Sequence, residues 1–217
     1  MKKITFFLIG FFILPNLVQA ASYQLKPDLW VSLPDVVTPW TVSMEPCSHL
    51  IENLTNHVLE EAGSKGKKLS EEKARQIALN RARNNQLFVM NQKSGARLLI
   101  SFSRLKEGEA VPSLKNLALS AKQAADGAEA EGWKAVSTQY AVTAIKGAQL
   151  AQWFTINYTH EGQQSLFMGI VGFAKPYWFW LYGYDHLKNH QDREFLEKLM
   201  LGVEVESYCP CRLRKKL

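Results

Sequence analysis

The strongest pattern in the chain is a pair of segments that stay apolar on both faces of an extended strand. Leu166 to Phe173 is interrupted only by Gly169 and Gly172, and Tyr177 to Tyr182 is apolar and aromatic throughout. Both runs are shorter than an ordinary helix, and Lys175-Pro176 separates them, so strands are predicted over Ser165–Ala174 and Tyr177–Gly183. Strands of this kind need cover on both sides. In the second run one face carries Tyr177, Phe179 and Leu181; the other carries Trp178, Trp180, Tyr182 and Tyr184.

Strands over Tyr140–Ile145 and Gln149–Tyr158 extend this pair into a meander, with turns at Lys146-Gly147 and at His160-Glu161-Gly162-Gln163. Upstream, Leu87–Asn91 and Arg97–Leu105 read as a hairpin about Lys93-Ser94-Gly95, with Leu98, Ile100 and Phe102 on one face. Tyr23 to Ser43 is extended and punctuated by Pro27, Pro34 and Pro39. Four segments have helical spacing instead. Ser48 to Ala62 presents Leu50, Ile51, Leu54, Val58 and Ala62, and Gly63 should end it. Ser70 caps a second helix to Asn84, whose thin stripe of Ala74, Ile77, Ala78 and Ala82 suits a surface position. Ser113 to Ala130 repeats Leu114, Leu117, Ala118, Ala121, Ala125 and Ala128, and Asn189 to Leu201 turns Phe195, Leu196, Leu199 and Met200 inward. Val203 to Ser207 is a last short strand. The expected fold class is α+β: one antiparallel sheet of about six or seven strands with helices on both faces, an α/β/α sandwich.

This order resembles the PsbP-like family, which includes the photosystem II extrinsic protein and the periplasmic DcrB lipoproteins. The likeness rests on the Trp30-Val31-Ser32-Leu33-Pro34 start, the late meander with Gly162 at its turn, and the helix–strand ending from Phe195 to Val205. The helices at 48 to 84 depart from it. The resemblance implies a non-catalytic accessory or interaction domain, and no functional residue of that family maps onto a motif here.

The first twenty residues change the picture of where the domain works. Lys2 and Lys3, the apolar run Ile4 to Leu14, Pro15-Asn16 and then Val18-Gln19-Ala20 have the layout of a cleavable export signal. Eleven apolar residues are too few for a membrane span, which needs about 20. A mature chain from Ala21 in a bacterial periplasm, or secreted, is expected, with one domain over 21–211 and a tail over 212–217. The formal charge of +6 is then unevenly placed. Without Lys2 and Lys3, 24 basic residues face 20 acidic ones, and four of the 24 are Arg212, Arg214, Lys215 and Lys216. A neutral body with a basic tail argues against an extended phosphate-binding face, so no nucleic acid is expected. The tail suits weak contact with an anionic membrane surface. Export also makes a disulfide from Cys47 to Cys209 or Cys211 the expected pairing.

Candidate chemistry is sparse. The familiar nucleophile, zinc-protease, dinucleotide and phosphate-loop strings are missing. Asp185, His186 and His190 are the one metal-like group, the two histidines four apart, although Asn189 and Asp192 equally make that stretch a helix cap. Trp178, Trp180, Tyr182 and Tyr184 can serve either as core or as a stacking surface for a glycan, a lipid or a partner. No cofactor is expected. The reading is an exported, non-catalytic interaction domain for an envelope protein or complex. A glycan- or lipid-binding module through strand 177–184 stands second, and a metal-dependent hydrolase third.

The small residues Val18 and Ala20 place cleavage between Ala20 and Ala21. The intact mass of the exported protein checks this; a chain that keeps residues 1 to 20 removes the compartment argument.

Overall fold

The computed structural model describes residues 20–130, 134–160, 163–185 and 190–208. In chain order the elements are β1 (Ala21–Lys26), β2 (Leu29–Leu33), β3 (Trp40–Ser43), α1 (Ser48–Ser64), α2 (Glu71–Ala82), β4 (Leu87–Asn91) and β5 (Arg97–Arg104). They continue with α3 (Leu114–Ala130), β6 (Lys134–Thr143), β7 (Leu150–His160), β8 (Gln163–Ala174), β9 (Tyr177–Asp185), α4 (His190–Leu201) and β10 (Glu204–Ser207). The fold is α+β. Seven strands form an antiparallel sheet in the order β3-β4-β5-β9-β8-β7-β6, so the doubly apolar pair β8 and β9 lies inside it.

Cover comes to both faces, as that pair demands. On one side Leu29, Val31 and Leu33 of β2, Val205 of β10 and Leu196, Leu199 and Met200 of α4 bury against Leu98, Ile100, Ile170, Phe179 and Leu181. On the other, Leu117 and Ala121 of α3 pack on Phe154, Phe167 and Val171, while Leu50 of α1 packs on Phe88 and Met90. The cover on the first side is only partly helical. A second antiparallel sheet, β1-β2-β10, lies beside α4, where a single sheet was expected. Its strands are short, and β10 reaches β2 from the far end of the chain, which hides that pairing from any local pattern. The small sheet is fastened to the large one at the β6–β7 connection. There Val205 donates its N–H to the Lys146 carbonyl, and Gly147 (φ +84°) lies directly against the Val205 backbone.

Several boundaries move. Ser48 is the first residue of α1 rather than its cap, and the helix runs past Gly63 to Ser64. Strand β6 starts at Lys134, six residues before the expected Tyr140. Ser70 does cap α2, accepting from the Lys73 N–H, and Ala74, Ala78 and Ala82 bury against α1 while Ile77 stays exposed. In α3 the inward stripe is Leu117 and Ala121; Leu114 and Ala118, expected inside, face out. The helix carries more apolar surface than the sheet takes up. Residues 1–19, on which the expected export signal falls, and the basic tail lie outside the described residues. Among the described residues no helix is long and apolar enough to cross a membrane.

Glycine makes the centre of the sheet possible. A methyl group at Gly169 would run into the Phe154 ring, and one at Gly172 into the Phe179 ring. Each glycine lets an aromatic ring from a neighbouring strand come close to the β8 backbone. Gly169→Ala should therefore destabilise the fold by about 1–3 kcal/mol through overpacking, measurable as a lower denaturation midpoint.

Candidate functional site

Strand β9 alternates buried and half-buried positions along its whole length, and its outward row is the aromatic row read from the sequence. The four rings do not share one fate. Tyr182 sits 5.3 Å from Phe167 and 6.3 Å from Phe154, and burial, with Tyr184 adding to it, pushes its hydroxyl well above the usual tyrosine range. Tyr184 stacks on Phe167 at 4.8 Å and receives the Arg97 guanidinium 4.8 Å from its ring centre. Both rings pack on Phe167 and both stay half-buried. Trp178 and Trp180 are stacked on each other at 6.1 Å and 14° and floor a recess of about 230 Å³. Ser103, Arg104, Lys106, Glu109 and Ser120 complete its wall. The recess exists because α1 covers the β4 side of this face and α3 the β7 side, so cover thins out over β9.

A larger cavity of about 680 Å³ opens at the same end of the sheet, bounded by Lys26, Asp28, Trp30, Arg104, Tyr177 and Tyr208. Its frame is a closed triangle. The Tyr177 hydroxyl donates to Asp28 Oδ1 at 2.6 Å, and Arg104 Nη1 donates to Asp28 Oδ2 at 3.0 Å and to the Tyr177 oxygen at 3.2 Å. Burial works against the Asp28 charge, but the Tyr177 hydroxyl, the Arg104 guanidinium and a backbone N–H outweigh it and hold the carboxyl below its ordinary range. Burial, then the Asp28 bond, push Tyr177 up to about 12, so its proton stays on the hydroxyl at neutral pH. Lys26 Nζ lies 5.2 Å and Arg104 Cζ 5.5 Å from the centre of the same Tyr177 ring. Trp30 and Tyr208 meet edge to face at 5.6 Å on the rim.

No family model and no curated protein matches the chain. Among solved structures it is similar to the solution structure of cyanobacterial PsbP (CyanoP) from Synechocystis sp. PCC 6803. That similarity has a TM-score of 0.43 and 6% sequence identity, over 92% of this chain and 99% of that one. No functional residue is carried across from it.

The remaining candidates are placed as follows. Asp185 ends β9 on the core side and is buried, and His190 opens α4, while His186 lies outside the described residues. Asp192 is also buried and accepts from Asn91 Nδ2 at 2.7 Å, which ties α4 to the β4–β5 hairpin. Among the described residues no group of three His, Cys, Asp or Glu side chains is placed to hold a metal ion. Cys47 has no disulfide partner among the described residues, and its Sγ lies 3.2 Å from Met90 Sδ; Cys209 and Cys211 lie outside the described residues, as do Arg212, Arg214, Lys215 and Lys216. The Asp28–Tyr177–Arg104 cavity is what the sequence reading missed. Its seven residues, Pro27 among them, come from four separated segments, and only the prolines around Trp30 gave any local signal there.

The triangle yields a signed pH prediction. Tyr177→Phe removes a hydrogen bond to a charged group and should cost about 1.5–3 kcal/mol at pH 7. Because the folded Tyr177 pKa is raised, its contribution is complete below pH 10 and is lost as pH rises through about 12. Because the Asp28 pKa is lowered, that contribution also fades as pH falls through the folded Asp28 value. Denaturant melts of both proteins should show a gap that closes at both ends; a gap that persists at pH 12 contradicts the triangle.

Proposed function

We propose that this chain is an exported, non-catalytic accessory domain that binds a protein or complex of the cell envelope. The observation that carries this reading is where exposed apolar surface lies. Of the ten large hydrophobic residues exposed among the described residues, Val111, Leu114, Leu119, Tyr140 and Val142 fall on α3, the turn before it and edge strand β6. These two elements touch each other. Exposed apolar residues scattered singly need no explanation, whereas half of them gathered on one corner point to a partner. The Trp178–Trp180 recess borders the same helix through Ser120. Tryptophan in a partly desolvated recess is the usual anchor of a protein interface. The triangle around Tyr177 adds no poised base or nucleophile: its hydroxyl is protonated at neutral pH and its carboxylate is bonded twice.

A second reading has its own observation. Two nearly parallel indoles flanked by the Ser103 and Ser120 hydroxyls and by Lys106 and Glu109 form a surface on which a sugar ring can stack while its hydroxyls find polar partners.

Leu119→Asp with Val142→Asp tests the first reading. Both side chains are exposed, so stability should stay within about 0.5 kcal/mol of the original. Photo-crosslinks from position 140 to a discrete envelope partner in living cells should disappear in the double variant. Crosslinking that survives it, together with glycan binding lost in Trp178→Ala, favours the second reading.

A further inference from the structure

We propose that the cavity between Lys26, Asp28, Trp30, Arg104, Tyr177 and Tyr208 binds a carboxylate monoanion carried on an apolar or aromatic body. It lies apart from the α3–β6 corner and stands without the reading of that surface. The charges decide the sign. Lys26 and Arg104 are cationic, Asp28 is the one anion in the lining, and the wall is left with a formal excess of one positive charge. Lys26 is half-buried and faces the Tyr177 ring, and it has no carboxylate or other acceptor among the described residues. Arg104 spends only Nη1 on Asp28 and Tyr177, so the rest of its fork has no acceptor among the described residues. A planar guanidinium with spare N–H groups matches a carboxylate. One such group neutralises the excess, whereas a phosphate monoester brings about 1.5 to 2 negative charges and overshoots it.

The rest of the cavity selects the body of the ligand. Trp30 and Tyr208 form an aromatic corner on the rim, and the Trp30 indole N–H has no acceptor among the described residues, leaving a donor for a carbonyl beside the carboxylate. A space of about 680 Å³ is within the range of small-molecule sites, roughly 300–1,000 Å³. The frame is formed in advance. Asp28 fastens the β1–β2 turn to β5 and β9, and its carbonyl accepts from the Tyr208 N–H at 3.0 Å, so neither wall has to be built when a ligand arrives. The same chemistry is offered by a free aryl carboxylate and by the chain terminus of a peptide that ends in an aromatic residue.

Titration of the full chain with N-acetyl-phenylalanine and with its amide, followed by the NMR shift of the Trp30 indole N–H and by calorimetry, tests this. The two probes share one body and differ only at the terminal group, a charged, acceptor-only carboxylate against a neutral carboxamide. The acid should saturate the shift and bind at least tenfold more tightly than the amide. Lys26→Met keeps the stem over the Tyr177 ring and removes the charge. It should weaken the acid about tenfold, leave the amide unchanged and leave the melting temperature unchanged. A pentapeptide ending in phenylalanine that binds more tightly than the acid assigns the site to a peptide terminus, and equal or weaker binding assigns it to a free carboxylate; both support the site. Equal binding of acid and amide, an unmoved Trp30 signal, acid binding indifferent to Lys26→Met, or tenfold tighter binding of phenyl phosphate would each overturn it.

Discussion

The two-sided apolarity of β8 and β9 is the constraint on which the rest of the molecule depends. A strand pair with Met168, Ile170, Phe179 and Leu181 on one face and Phe167, Val171, Trp180 and Tyr182 on the other cannot sit at an edge or leave either face wholly open to water. It has to lie inside a wide sheet, and that sheet has to be roofed twice. The two roofs differ. On one side α4 and the small sheet β1-β2-β10 close over the strands, and Phe195 of α4 stacks on Trp40 of β3 at 4.6 Å. On the other, separate helices cover the two flanks. The half-buried Trp178–Trp180 pair is what that second roof leaves over, so the recess follows from how the core is closed.

Legibility in the sequence follows the range of the interaction that decides each feature. Periodicity is local, and it placed the four helices, the β4–β5 hairpin, the meander and the inward and outward rows of β9. What depends on a neighbour from elsewhere in the chain was not legible. The inward stripe of α3 is one example: Leu114 and Leu117 are both leucines at helical spacing, and only the position of the helix over Phe154 and Phe167 decides that Leu117 enters the core and Leu114 does not. The small sheet is another, since β2 pairs with β10 across more than 170 residues of chain. The aromatic row shows both cases in one strand. Its composition was plain, but what each ring meets is set by Phe167 and Arg97 for Tyr184 at one end and, for Trp178 and Trp180 on the recess floor, by the thin cover among the described residues at the other.

The 680 Å³ cavity follows the same logic at longer range. Asp28 sits in a turn after a proline, a position where sequence reasoning finds nothing beyond turn chemistry. Its meaning comes from Tyr177, 149 positions away, and from Arg104, 76 away. Tyr177 itself was legible as a core residue, and its ring is buried. Its hydroxyl reaches past the core to the cavity wall, so one side chain serves packing with its body and the site with its tip.

Arg104 ties the two recesses together. It ends β5 and lines both the Trp178–Trp180 recess and the Tyr177 cavity. It is also part of the triangle that fastens the β1–β2 turn to the large sheet. Loss of binding on removing Arg104 would therefore be silent about which recess was emptied, and even about whether a recess was touched, because half of the clamp on Asp28 goes with it. Side chains that border one recess and fasten nothing separate the readings instead. Lys26 is such a residue on one side, since it bonds to no carboxylate among the described residues and its removal leaves the triangle whole. A single residue that braces the Asp28 turn and lines both recesses thus sits at the sheet end, with residues that border only one recess on either side of it.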